Sequence, residues 1–305
     1  MSEILTALWP VFALLCIGHI IRRIGFPGDG FWEPAEKLIY FLLFPLLLIY
    51  KLSLADIGAV PVADVALAVT VLLVSGTLLL LGIQRFKPLE NRRFTSVYQG
   101  GMRFNTYVGL AACAALYGDE GVAIAAVIIA VMIPLLNFLC VLIFSVYTRK
   151  EAGYLSALTA IGKNPLIIAC CIGIFLNLSG IGLPWAVASA AELVSGMALP
   201  LALLAVGAGL NLTVLRKAGG AVIYSSGVKL MIFPVLMLLI CIWLIDSPAV
   251  AQVLLLFSAL PTAPSAYVLA RQLDGDATLM AAIITGQTLL SMLLMPVSLS
   301  IFQYF

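Results

Sequence analysis

The sequence predicts an all-α integral membrane protein with ten transmembrane helices, arranged as two inverted repeats of five. Composition is the first reason, because 63% of the 305 residues are hydrophobic and 10% are charged, whereas a soluble domain carries about a quarter charged residues. The second reason is a series of ten apolar segments, each of a length that crosses a bilayer. The third is an internal repeat, since the second half resembles the first after a shift of 155 residues.

We number the apolar segments 1 to 10 along the chain and keep these numbers for the predicted crossings. They lie at residues 4–21, 34–53, 62–84, 94–117, 120–147, 163–180, 185–210, 220–245, 248–272 and 277–303.

The repeat divides the chain into a first copy at residues 1–152 and a second at 153–305. The residues that the shift superimposes include Pro10 and Pro165, Gly18 and Gly173, and Pro45 and Pro200. Because each copy has an odd number of crossings, the second copy must run through the bilayer upside down relative to the first. This inverted arrangement is typical of secondary transporters.

The basic residues predict the orientation in the membrane. They concentrate in the odd-numbered connections, as with Arg22 and Arg23 after segment 1 and Arg92 and Arg93 before segment 4. The positive-inside rule makes these connections cytoplasmic and places both termini on the non-cytoplasmic side. We expect the chain to lie in the cell membrane, which in a bacterium is the inner membrane, surrounded by membrane lipid.

Segments 4 and 9 occupy the same position in the two repeats, and both are poor continuous helices. Segment 4 contains two glycines followed by the polar residues Arg103, Asn105, Thr106 and Tyr107. Segment 9 contains Pro261, Pro264, Ser265 and Tyr267. Equivalent interrupted helices in inverted repeats indicate a binding site near the middle of the membrane.

The chemistry of these interruptions favours an anion. Asn105 and Ser265 are good N-cap residues, so we expect a half-helix to begin near each of them. Two helix N-termini would then point at the bilayer midplane beside the guanidinium of Arg103. The alternative is a pair of simple kinks, with Arg103 reaching to the cytoplasmic surface.

Three further polar residues of the apolar segments are candidates for the binding site. Lys229 in segment 8 is interpreted as a second cation near the substrate, as a proton-linked switch, or as a lysine reaching to the surface. Asn137 and Gln287, in segments 5 and 10, either donate hydrogen bonds to a substrate carboxylate or join helices.

The sequence offers no pattern for catalysis or for cofactor binding. No catalytic triad, metal-ligand cluster or phosphate-binding loop can be assembled, so we expect no enzyme activity and no cofactor. The six cysteines lie in apolar segments and are interpreted as buried apolar side chains. The net charge of +2 indicates no nucleic-acid partner.

The stretches Arg103–Leu110 and Ala259–Tyr267 resemble the signature segments of the auxin efflux carrier family. The resemblance implies that segments 4 and 9 are broken and cross, with the substrate held at the crossing. It also implies carboxylate substrates such as malonate, malate or an auxin-like acid. Segment 4 lacks the proline that plant members carry before the Asn-Thr-Tyr motif, and the long cytoplasmic loop of many plant members is absent, as in a compact prokaryotic member.

The same resemblance implies two moving bodies and an elevator-type mechanism. The scaffold would comprise residues 1–58 and 163–215, and the transport domain residues 59–150 and 218–305. A homodimer would form through segments 2 and 7 of the scaffold.

The predicted function is secondary transport of a small organic anion, with proton coupling left open. One alternative is a sodium-coupled symporter like the bile acid carriers, although no acidic residue lies near the two interruptions to hold sodium. Another is a receptor of the same fold that binds its ligand without transporting it.

Overall fold

The computed structural model of the protein describes residues 2–55, 60–148, 162–215 and 219–302. Every regular element within these ranges is a helix, so the all-helical prediction is confirmed. The predicted repeat boundary at residues 152 and 153 and the C-terminal residues 303–305 lie outside the described residues.

The helices are numbered here in chain order. They are α1 Ser2–Arg23, α2 Asp29–Leu38, α3 Phe44–Leu54, α4 Val62–Phe86, α5 Asn91–Met102, α6 Thr106–Thr148, α7 Pro165–Leu178, α8 Trp185–Gly196, α9 Ala198–Ala208, α10 Leu212–Leu215, α11 Gly220–Gly227, α12 Phe233–Leu244, α13 Pro248–Ser258, α14 Ser265–Gln272 and α15 Ala277–Phe302.

The helices make this a multi-pass membrane protein. Within the described residues, seven helical stretches are long and apolar enough to cross a bilayer, and α7 and α13 are shorter apolar helices. One of the seven, Asn91–Thr148, is 58 residues long and contains two interruptions. The second interruption is Gly118, whose φ of 60° turns the chain within α6. The arrangement as ten crossings in two inverted repeats stays a prediction.

Two helices widen in the middle, each immediately before a Phe-Pro pair. A π-helical turn at Ile39–Leu43 joins α2 to α3, and another at Val228–Ile232 joins α11 to α12. Pro45 and Pro234 follow at the second position of the next helix. Because a proline ring clashes with the carbonyl four residues earlier, the wider turn relieves the crowding without ending the helix.

Glycines allow two pairs of helices to touch at their backbones. A side-chain carbon at Gly18 of α1 would overlap the carbonyl of Leu204 in α9. A carbon at Gly173 of α7 would lie 3.2 Å from the Cα of Ile49 in α3. The two contacts are related by the 155-residue shift, since that shift takes Gly18 to Gly173 and Ile49 to Leu204. Small residues at helix interfaces permit this close approach in membranes.

The cysteines only partly follow the sequence interpretation. Four are buried, but Cys16 and Cys171 are exposed on α1 and α7. They face outward because they lie opposite the packed sides of these helices, which Gly18 and Gly173 mark.

Candidate functional site

Both helices that the sequence predicts to be interrupted are broken in the structure. α5 ends at Met102, Arg103 takes an extended conformation with φ −73° and ψ 156°, and α6 begins at Thr106. In the second half, α13 ends at Ser258 and α14 begins at Ser265. The non-helical stretches coincide with the Arg-Phe-Asn sequence and with the two prolines, which lack the N–H that a continuous helix requires.

The two breaks are joined by their backbones. The N–H of Asn105 donates to the carbonyl of Pro261 at 2.7 Å. On one side of this bond α5 contacts α14, where Gln99 Nε2 donates to the carbonyl of Ala266 at 3.4 Å. On the other side α6 contacts α13, where a side-chain carbon at Gly109 would lie 3.2 Å from the ring of Phe257. The two broken helices therefore cross at their breaks.

Gln287 of α15 connects the crossing to a third helix. Its Oε1 accepts from the N–H of Thr262 at 2.9 Å, and its Nε2 donates to the carbonyl of Gly100 at 2.9 Å and to Ser225 Oγ at 3.3 Å. Both amide hydrogens are thereby directed at protein groups. The structure thus places Gln287 as a link between the breaks rather than as a free donor.

Asn105 caps the half-helix that follows it. Its Oδ1 accepts from the N–H groups of Tyr107 at 3.1 Å and Val108 at 3.2 Å. These N–H groups are therefore satisfied within the protein, contrary to the expectation that they are free for an anion. The Nδ2 of the same side chain is buried without a hydrogen-bond partner.

Arg103 is half-buried and does not reach to the surface. Its Nη2 donates to Asn137 Oδ1 at 3.1 Å, while its Nη1 is buried without a partner. Asn137 is thereby brought to the crossing, where its Oδ1 orients the guanidinium and its Nδ2 group keeps the capacity to donate. The unpaired groups of Arg103 and Asn105 are both donors, and such donors suit a carboxylate.

Tyr107 faces a neighbouring helix pair. Its ring stacks on that of Phe44 at 4.6 Å with an interplanar angle of 22°. Phe44 begins α3 in the predicted scaffold, so the crossing borders on that body. The sequence analysis did not select Phe44. The feature that could have indicated it is Pro45, the proline that directly follows it within apolar segment 2. Thr106 is half-buried at the start of α6.

The second break is less polar than predicted. Pro261 is buried and Pro264 half-buried, but Ser265 and Tyr267 are exposed, and Tyr267 lies 6.0 Å from the Arg271 guanidinium. Ser265 does not cap α14, because Pro264 holds the cap position with helical angles of −57° and −30° and makes no side-chain bond. A proline already fixed near helical φ starts the turn one residue early.

Lys229 lies apart from these donors. It is fully buried in the π-helical turn Val228–Ile232, with Nζ 5.0 Å from the centroid of the Phe233 ring and no hydrogen-bond partner. Reaching to the surface is thereby excluded. The preceding residue, Val228, lies 3.6 Å from where a side-chain carbon at Gly101 would stand, so Lys229 is beside the last turn of α5.

Metal-binding clusters are absent from the described part of the chain, where no three His, Cys, Asp or Glu side chains gather.

Comparison with known proteins supports the family resemblance. Residues 154–299 match the family of membrane transport proteins. The match covers 146 of the 305 residues, just under half of the chain, and includes Ala259–Tyr267. An uncharacterized transporter of Methanothermobacter thermautotrophicus is 24% identical over 291 residues, which is 94% of each chain. Together the two matches support the resemblance to the auxin efflux carriers and a role in membrane transport.

Proposed function

We propose that this protein is a secondary transporter of a small organic anion, a carboxylate such as malonate, malate or an auxin-like acid. The observation that supports this most strongly is the pair of buried, unpartnered donors at the crossing, Arg103 Nη1 and Asn105 Nδ2. Buried donors without partners are rare in folded proteins, because each loses its hydrogen bonds to water. A carboxylate would supply the missing acceptors.

The two donors would hold the carboxylate in different ways. Arg103 contributes charge and at least one N–H, oriented by the bond from its Nη2 to Asn137. Asn105 contributes a neutral N–H at the start of α6, where the helix dipole also favours negative charge. Both donor atoms are buried, and hydrogen bonds are stronger away from water than in it.

Movement of the crossing would carry the bound anion through the membrane. In this proposal the transport domain, residues 59–150 and 218–305, moves as an elevator against the scaffold, residues 1–58 and 163–215. Both polypeptide termini are then non-cytoplasmic. The scaffold dimerises through segments 2 and 7, which expose large apolar side chains to lipid or to a partner, including Phe41 at 65% and Leu193 at 78% exposure.

Exchange of labelled carboxylates in proteoliposomes tests the proposal. Malonate, malate and indole acetate are each measured by counterflow with the wild-type protein and with Arg103→Gln. Loss of one charge-assisted hydrogen bond is expected to weaken binding by about 1.5–3 kcal/mol, or roughly 10- to 150-fold. The matched control is Arg85→Gln, at an exposed arginine in the last turn of α4. Equal counterflow by Arg103→Gln and the wild type would remove Arg103 from the site.

A further inference from the structure

Lys229 is a buried amine that makes no hydrogen bond to the donors at the crossing. Its side chain is fully buried, and Nζ lacks a hydrogen-bond partner. An unpaired ammonium in a protein interior is costly by several kcal/mol. Burial therefore disfavours the charged form of the amine in this conformation. Its only polarisable neighbour in the described contacts is the Phe233 ring, at 5.0 Å.

The elements packed against Lys229 bring no counter-ion to it. The π-helical turn packs against α5 and α15, and α12 packs against α4. The titratable and charged groups of these helices and of the lysine's own helix are Tyr224, Cys241, Arg92, Arg93, Tyr98, Asp64 and Arg85, and α15 has none.

Three of these groups are exposed or bonded elsewhere, whereas the hydroxyl of Tyr224, like Nζ of Lys229, is buried without a partner. Asp64, the one carboxylate within these described helices, is exposed in the first turn of α4. Arg92 forms an ion pair with Asp274 at 2.9 Å at the far end of α5. The hydroxyl of Tyr98 is bonded to Thr77 Oγ1 at 2.9 Å. Nothing in these helices therefore holds Lys229 permanently charged.

The position of Lys229 nevertheless suits a transient positive charge. The ring of Phe233, which lies beneath Nζ, and the sulfur of Met102 both pack against Gly76. Met102 is the last residue of α5. A helix C-terminus carries partial negative charge and favours a cation nearby. One turn earlier, Ser226 Oγ is also buried without a partner and could accept a bond from an ammonium.

We propose that Lys229 binds the coupled proton, so that the protein is a proton–anion symporter. This inference rests on the proposed anion transport. On the side of higher proton concentration the Nζ lone pair takes a proton from water and forms an N–H bond. On the other side that N–H bond breaks and the proton returns to water. Anion bound at Arg103, the residue that directly follows α5, favours the ammonium, so proton and anion travel together.

Proton movement with substrate is the direct test. Proteoliposomes of the wild-type protein contain a pH indicator dye, and whichever of malonate, malate or indole acetate shows counterflow is added outside. Uptake is expected to acidify the interior, and an inward proton gradient is expected to accumulate the labelled acid. Counterflow without acidification or gradient-driven accumulation would overturn the inference and leave the proposed function standing. Absence of counterflow with all three acids would refute the proposed function, and this inference with it.

Two variants assign the proton to Lys229. Lys229→Met cannot bind a proton and Lys229→Arg cannot release one. In each variant, gradient-driven accumulation is expected to fall by at least tenfold, which corresponds to about 1.4 kcal/mol of driving force. Counterflow is expected to fall less, because it does not require the empty carrier to return. Lys87→Met, at an exposed lysine before α5, is the matched control and keeps accumulation. Gradient-driven accumulation by either Lys229 variant at the wild-type level would overturn the assignment.

Discussion

Asn105 serves the fold with one atom of its amide and leaves the other available. Its Oδ1 caps α6 through Tyr107 and Val108, while Nδ2 is buried without a partner. The oxygen accepts hydrogen bonds and the NH2 group donates them, so a substitution that keeps only the oxygen can separate their roles.

Asn105→Asp keeps the capping oxygen and replaces the donor by a second acceptor. The helix cap is therefore retained, and thermal stability is expected to stay close to that of the wild type. Anion exchange should fall below detection, because a carboxylate repels a carboxylate. Asn105→Ala is the complement, expected to lose the cap at about 1 kcal/mol as well as the donor. Thermal unfolding in detergent and counterflow in liposomes measure the two effects. Exchange by Asn105→Asp at the wild-type rate would show that Nδ2 does not contact substrate.

At this scale the sequence predicted residue types better than their bonding. Arg103 and Asn105 could be chosen because a cation and a capping amide beside glycines are unusual within an apolar segment. The bonds of Gln287 could not be predicted, since its partners Gly100 and Thr262 belong to two other helices. The predicted N-cap at Ser265 was wrong, because Pro264, one residue earlier, already takes the cap position with helical angles.

The crossing is an element built from three helices, with Gln287 of α15 holding the two broken ones. One side chain satisfies a backbone carbonyl at the end of α5 and a backbone N–H in the break after α13. Both backbone groups would be left buried and unpaired without it.

Gln287→Met removes these bonds at nearly constant volume. We expect it to destabilise the protein by about 1–3 kcal/mol, because the carbonyl of Gly100 and the N–H of Thr262 lose their partner. The matched control, Thr288→Val, removes a bond within α15 from the adjacent residue, Thr288 Oγ1 to the carbonyl of Ile284 at 2.7 Å. Apparent melting temperature in detergent distinguishes them. A fall for Thr288→Val as large as that for Gln287→Met would mean that the crossing is held by other contacts.

Helix breaks were predictable from local chemistry, and helix widening was not. Glycine, asparagine and proline disfavour a continuous helix wherever they occur. The π-helical turns at Ile39–Leu43 and Val228–Ile232 consist of ordinary helix formers, and the cause lies in the proline that follows each turn.

One ion pair spans the two predicted bodies of the whole molecule. Lys51 of α3, in the scaffold, reaches Asp119 at the turn within α6, in the transport domain, with Nζ and Oδ1 2.6 Å apart. Asp119 is 81% exposed, and an exposed pair contributes about 0.2–1 kcal/mol. The pair can therefore favour the conformation seen here without preventing movement.

Spin labels at Leu54 and Glu120, in a protein without the six native cysteines, report the separation of the two bodies. Both positions are exposed and lie close to the ion pair. We expect two distance populations, with Lys51→Gln shifting their ratio by up to about fivefold, the equivalent of 1 kcal/mol. Labels at Leu54 and Trp185, both in the scaffold, serve as the control and should give one distance. A single Leu54–Glu120 distance with and without carboxylate, in protein that transports, would exclude movement of one body against the other.

The two π-helical turns have a consequence for the direction of transport. In a carrier made of inverted repeats, the outward and inward states exchange the conformations of the two copies. The turns lie in segments 2 and 8, whereas the repeat partner of segment 2 is segment 7. The two predicted copies thus differ in this feature, and we expect the outward and inward states of the proposed carrier to differ in free energy. We expect such a carrier to rest with its site open to one side of the membrane. The substrate concentration that half-saturates transport would then differ between the two faces, while the equilibrium distribution of the substrate would be unchanged.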